Sequence, residues 1–166
     1  MAGDTSKYAH TERERKFLLQ HSANMVNGLP YKQIADHYIK NSSLRFRRVT
    51  DGESVIWKLT KKSQSIDGKA QITTIYLTEA EYGLLNIFDA ILVEKIRYIK
   101  AYDNFVIGID KYSKGNDELW LAEVEFNSDE EMSSFTLPFD YLAEVTDDIN
   151  YNGFALAEKF GESYNC

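Results

Sequence analysis

Three stretches of this sequence set two like charges one residue apart. Arg45 and Arg47 flank Phe46, Lys95 and Arg97 flank Ile96, and Glu123 and Glu125 flank Val124. Alternate residues of an extended strand point to the same side. Each charged pair therefore shares one face, and the opposite face carries Leu44 and Phe46, Ile96 and Tyr98, or Ala122, Val124 and Phe126. Lys58 lies between Trp57 and Leu59 in the same manner. A sheet with one face in water accounts for any one of these strands. Solvent faces usually mix their signs, however, and here bases gather on two strands and acids on a third. Like charges on a shared face repel, and a counter-ion between them relieves the repulsion. Paired carboxylates suit a hard divalent cation, and clustered Arg and Lys suit phosphate oxygens. A closed barrel would turn these faces inward around a metal and a polyphosphate. The run Glu12-Arg13-Glu14-Arg15-Lys16 is less clean, with bases on both faces, and by composition reads as an exposed, salt-bridged strand.

The elements that must position these residues are mostly strands. Period-two alternation rich in β-branched and aromatic residues predicts strands at 12–19, 36–40, 44–50, 54–60, 70–77, 91–101, 104–112 and 119–127. Asp51-Gly52 is a strong hairpin signal, and Asp67-Gly68 and Lys114-Gly115-Asn116 read as further turns. Thr78 with Glu81 forms a capping box that opens a helix over 78–89. Further helices are predicted near 30–36, 128–134 and 153–161. Many antiparallel strands with few helices place the chain in the α+β class, as a barrel or a sandwich. Trp57 and Trp120 read as packing residues of the outer face. The acidic run Asp129-Glu130-Glu131 after Ser128 reads as a helix start.

With 166 residues, 43% hydrophobic and 27% charged, the chain fits one globular domain. Its net charge of −7 argues against nucleic acid or an anionic membrane as partner. No apolar run reaches the length of a membrane span. The polar N-terminus lacks the apolar core of a secretory signal, which predicts a cytoplasmic protein. The one cysteine, Cys166, excludes an internal disulfide and a cysteine metal cage. His10, His21 and His37 are too scattered to suggest a histidine metal site.

The order of these motifs resembles the CYTH superfamily, the triphosphate tunnel metalloenzymes. Glu12-x-Glu14-x-Lys16 followed by Phe17-Leu18-Leu19 resembles its N-terminal signature. Tyr38-Ile39, Arg45-x-Arg47, Lys58 at the spacing of the next tunnel lysine, and Tyr76-Leu77-Thr78 follow in the family's order. So do Lys95-x-Arg97-Tyr98, Ile109-Asp110, Leu121 to Phe126, Glu144-Val145-Thr146, Tyr151-Asn152 and Leu156-Ala157. The resemblance spans 12–157, within a domain expected at 12–162 behind an N-terminal tail at 1–11. It implies a closed eight-stranded antiparallel β-barrel, a tunnel with helices packed outside. It implies Mg²⁺ or Mn²⁺ held by Glu12, Glu14 and Glu125, with Glu123 ligating metal or positioning a water and Asp110 supporting the metal or orienting a base. Lys16, Arg45, Arg47, Lys58, Lys95 and Arg97 would grip a small-molecule triphosphate, with Glu123, Lys16 and Lys58 in the catalytic roles. Inorganic triphosphate is the leading substrate, ahead of nucleoside or thiamine triphosphate. A cyclase and a non-catalytic binder are the alternatives, in a monomer or a homodimer.

One departure stands out. The family usually carries a further acidic pair on the strand after the tunnel lysine. Spacing to Tyr76-Leu77-Thr78 puts Gln71 and Thr73 at those positions, which predicts a lumen short of two negative charges.

Overall fold

Eight strands close on themselves. The computed structural model describes residues 7–20 and 23–164, so His21, Cys166 and the first six residues of the expected tail lie outside the described residues. The strands are β1 (His10–Leu19), β2 (Tyr31–Ile39), β3 (Leu44–Asp51), β4 (Ser54–Lys62), β5 (Lys69–Leu77), β6 (Ala90–Tyr102), β7 (Phe105–Lys114) and β8 (Asp117–Phe126). They pair antiparallel in the order β6-β2-β3-β4-β5-β1-β8-β7, and β7 pairs back to β6, so the barrel has no open edge. Two short strands are added. β9 (Ala143–Glu144) extends along β1, and β10 (Glu162–Tyr164) lies beside β6. Among the described residues no helix is long and apolar enough to cross a membrane.

Tight turns set the register. Asp51 pairs with Ser54, Tyr102 with Phe105 and Lys114 with Asp117, leaving two-residue hairpin loops. Gly68 closes another tight turn at φ +70°, and a Cβ there would lie 2.8 Å from the backbone oxygen of Glu14. Only glycine combines that conformation with so close an approach to β1.

The alternation read from the sequence resolves into two apolar layers outside the barrel and one at its end. Phe17, Ile107, Ile109, Trp120, Ala122 and Val124 pack outside β1, β7 and β8 against Phe135 and Leu137, just past helix α2 (Asp129–Ser134). Phe46, Ile39 and Ala90 pack outside β2, β3 and β6 with Tyr82 and Leu85, from α1 (Glu79–Leu84) and the residue after it. The capping box of Thr78 and Glu81 is present, and Ser128 caps α2. The third helix, α3 (Gly153–Phe160), behaves differently from the expected outer packing. Its Leu156, Ala157 and Phe160 join Val93, Tyr112 and Leu121. Those three strand residues are register partners of Asp36, Lys95 and Asp110 and so face inward. The helix therefore closes the barrel at one end.

The helix expected near 30–36 is instead the first two-thirds of β2. Gln33 and Ala35 tolerate either conformation, but the segment hydrogen-bonds to β3 on one side and β6 on the other. Tertiary pairing overrides the local preference.

Candidate functional site

Inside the barrel lies a cavity of about 430 Å³. Its wall receives Glu12, Glu14 and Lys16 from β1, Arg45 and Arg47 from β3, Lys95 and Arg97 from β6, and Glu123 and Glu125 from β8. Register explains the convergence. Glu14 faces Glu125, Lys16 faces Glu123, and all point to the side on which Leu18 meets Leu121 inside the barrel. The outward residues Arg13 and Arg15 bind Asp129 and Glu144, which accounts for the mixed charges of that run.

The acids lie on β1 and β8 and most of the bases on β3 and β6, with Lys16 and Lys62 beside the acids. Among the described residues, Glu12, Glu14 and Glu125 are the one group of three that brings metal-ligating atoms together, with oxygens all within 4.8 Å of one another. Burial, and then repulsion from Glu12 and Glu14, raises the Glu125 pKa above the ordinary value. Three carboxylates that repel one another at this spacing match the oxygen donors that a hard divalent cation takes. Glu123 stands apart from them. Burial alone would raise its pKa, but Lys95, Arg97 and Lys16 outweigh that and hold it well below the usual range. It pairs with Arg97 and lies 3.9 Å from Lys16.

Two buried aspartates back the bases. Asp110, fully buried, accepts from Arg97 Nε at 2.6 Å, from Arg97 Nη2 at 2.7 Å and from Lys95 Nζ at 2.5 Å. With both its oxygens taken by bases and no place in the acidic trio, Asp110 is not set as a metal ligand, and of its two expected roles the orientation of bases is the one its contacts fit. Arg97 has room for this fork because Gly108 underlies it, where a Cβ would come within 3.1 Å of Arg97 Nε. Asp36 is the counterpart on β2. It accepts from Arg47 Nε at 2.5 Å and Nη2 at 2.7 Å and lies 3.5 Å from Arg45 Nε. Sequence reasoning missed Asp36, whose only signal is a lone acid in the apolar run 34–39 of the expected β-barrel.

The two lysines of β4 sit differently from expectation. Lys58 faces inward opposite Arg47 but does not line the cavity, and its ammonium lies 5.2 Å from the centre of the Tyr76 ring. Burial, then the charges of Arg47, Arg45 and Lys32, lowers its pKa. Lys62, on the same face, lines the cavity, pairs with Glu12 and lies 3.7 Å from Glu14.

Gln71 and Thr73 also need correction, because their side chains point out of the barrel. Gln71 bonds Thr11 on the outer side, and Thr73 faces the exposed Lys61. The inward positions of β5 are Ala70 opposite Glu12, Ile72 opposite Lys62 and Thr74 opposite Thr60. The lumen does lack an acid from β5, but the residues responsible are these three.

A closed antiparallel barrel with acids and bases lining its lumen defines the class. Solved structures agree. The NE1496 protein, whose structures include one described as an inorganic triphosphatase, is 25% identical; the match covers 88% of this chain and 93% of that chain with a TM-score of 0.55. The PH1012 protein from Pyrococcus horikoshii is 17% identical over 91% of this chain and 94% of that chain, with a TM-score of 0.57. The bh2851 protein from Bacillus halodurans is 16% identical over 86% of this chain and 99% of that chain, with a TM-score of 0.55. The fold is that of the CYTH tunnel, as the resemblance read from the sequence implied. No family model matches the sequence, and no curated protein matches it significantly.

Proposed function

We propose that this protein hydrolyses inorganic triphosphate with Mg²⁺ or Mn²⁺. The observation that carries the reading is the meeting of a carboxylate trio and a set of Arg and Lys side chains in one cavity. The likeness to the inorganic triphosphatase NE1496 supports it.

Glu12, Glu14 and Glu125 would hold the cation, which when bound polarises phosphate oxygens and favours ionisation of a water. Arg45, Arg47, Lys95 and Arg97 bind the phosphate chain from β3 and β6, and Lys16 and Lys62 reach it from beside the acids. Rigid strands hold these donors in place before substrate arrives, and such preorganised charge is what stabilises the equatorial oxygens and the leaving group in phosphoryl transfer. The surrounding Lys95, Arg97 and Lys16 lower the pKa of Glu123, which weakens it as a base. Its part is to fix Lys16 and Arg97, and to orient the attacking water as an acceptor. Lys58 adds uncompensated positive charge beyond Arg47.

The test is a panel of inorganic, nucleoside and thiamine triphosphates with Mg²⁺, Mn²⁺ or EDTA, scored for orthophosphate and cyclic nucleotide. Cation-dependent release of orthophosphate, fastest from inorganic triphosphate, is the expected result. A second reading, binding without turnover, draws on the absence of a carboxylate from the inward face of β5. Tight binding with no product from any substrate or metal would establish that reading instead.

A further inference from the structure

Four neighbouring strands, β7, β6, β2 and β3, alternate acid and base across the inner wall: Asp110, then Lys95 and Arg97, then Asp36, then Arg45 and Arg47. Asp36 is 2% exposed and does not line the cavity, whereas both arginines beside it do. It therefore sits behind the grip. Its two oxygens take the Nε and Nη2 edge of Arg47, which leaves Nη1 as the part of that guanidinium not committed to the fork. Arg45 is held differently, with a buried Nε that makes no hydrogen bond and lies 3.5 Å from Asp36 Oδ1.

We infer that Asp36 is a positioning residue that sets the Arg47 guanidinium for the transition state and tempers the pull of this arc on the bound anion. The inference rests on the reading of the cavity as a triphosphate site. Two effects meet at this carboxylate. It fixes Arg47, which favours the reacting geometry. It also repels the substrate, because its charge lies one guanidinium away from a polyanion in a poorly screened interior. Removing the charge while keeping the shape separates them. Ground-state binding tightens because a repulsion is gone, and turnover slows because Arg47 is no longer held.

The experiment uses Asp36→Asn in the full chain. Inorganic triphosphate is titrated calorimetrically in EDTA, and kcat and KM are measured with Mg²⁺. Asp36→Asn should bind triphosphate more tightly than the parent, with kcat lowered on the order of 10-fold and KM unchanged or lower. Weaker binding with unchanged kcat, or no change in either, would overturn the inference. The single change leaves a buried guanidinium partly unpaired and can lower folding yield. The pair Asp36→Asn with Arg47→Gln removes both charges together. If Asp36 acts through Arg47, this double variant turns over as fast as Arg47→Gln alone; a further loss in the double variant would show that Asp36 acts elsewhere. A parent protein that binds triphosphate without hydrolysing it would defeat the proposed activity alone. The tighter binding of Asp36→Asn in EDTA would then still be expected, and its absence would defeat the inference.

Discussion

At the scale of single residues, the acidic trio and the lysines of β4 make the most direct claims. Glu125→Gln keeps the side-chain volume and removes one ligand charge from the trio. It should weaken Mg²⁺ or Mn²⁺ binding in a titration without substrate and slow turnover at limiting metal on the order of 10²-fold. Equal metal affinity in both proteins would take Glu125 out of the site. Lys62 and Lys58 share a strand face, but only Lys62 lines the cavity. Lys62→Ala should therefore weaken triphosphate affinity more than Lys58→Ala, and the reverse order would move the anion toward Tyr76. Spacing from Arg47 favoured Lys58 in the sequence because a shift of two pairs keeps every side chain on its face. Periodicity can tell inside from outside, but it cannot place a residue along the axis. The Gln71 and Thr73 assignment failed in the complementary way. A one-residue offset reverses the faces, and on β5 it is the apolar Ala70 and Ile72 that face inward, with Thr74 bonding Thr60 at 3.0 Å on the same side.

At the scale of elements, β3, β6 and β8 were legible because their charged and apolar residues alternate, and α1 and α2 because their caps are written locally. The strand β2 was only half legible: its order depends on two neighbours far away in sequence, and Asp36 makes sense only beside Arg47. The same strand carries a testable titration on its outer side. His37 stacks on Phe46 at 4.3 Å and its Nδ1 meets the Tyr82 hydroxyl of α1 at 3.1 Å. Burial, opposed by Asp36 and reinforced by Arg48, lowers its pKa from 6.5 to about 4. The folded state thus prefers the neutral ring, while the unfolded chain takes up a proton below 6.5. The contribution of His37 is complete above pH 6.5 and is lost as pH falls from there toward 4, at up to about 1.4 kcal/mol per pH unit. Urea unfolding midpoints of the parent and His37→Phe should converge or cross over that interval, because the variant lacks the proton uptake. A difference between them that stays constant from pH 7 to about 4 would show that His37 is not titrating in this way.

At the scale of the whole molecule, the barrel brings like charges together from strands that have no other reason to meet. Glu12, Glu14 and Glu125 converge from two strands, and the bases of β3 and β6 line the same cavity. In the unfolded chain these groups are hydrated and far apart, so on the proposed reading a polyphosphate with its cation would bind the folded state almost alone. Such a ligand stabilises by mass action, by about 2.7 kcal/mol at a concentration 100 times its Kd. For a domain of this size that corresponds to a rise in Tm on the order of 5–10 °C. The two components should also be interdependent. Divalent cation alone would relieve the acidic side and leave the basic side unfilled, triphosphate alone would do the opposite, and together they would satisfy both. Thermal unfolding should therefore show a shift with Mg²⁺ and triphosphate together that exceeds the sum of the shifts with either alone. Orthophosphate at equal ionic strength should give little, because it spans too few of the bases. Equal shifts from orthophosphate and triphosphate would mean that the arcs respond to general anion binding, and the barrel would lose its claim to a ligand long enough to bridge them.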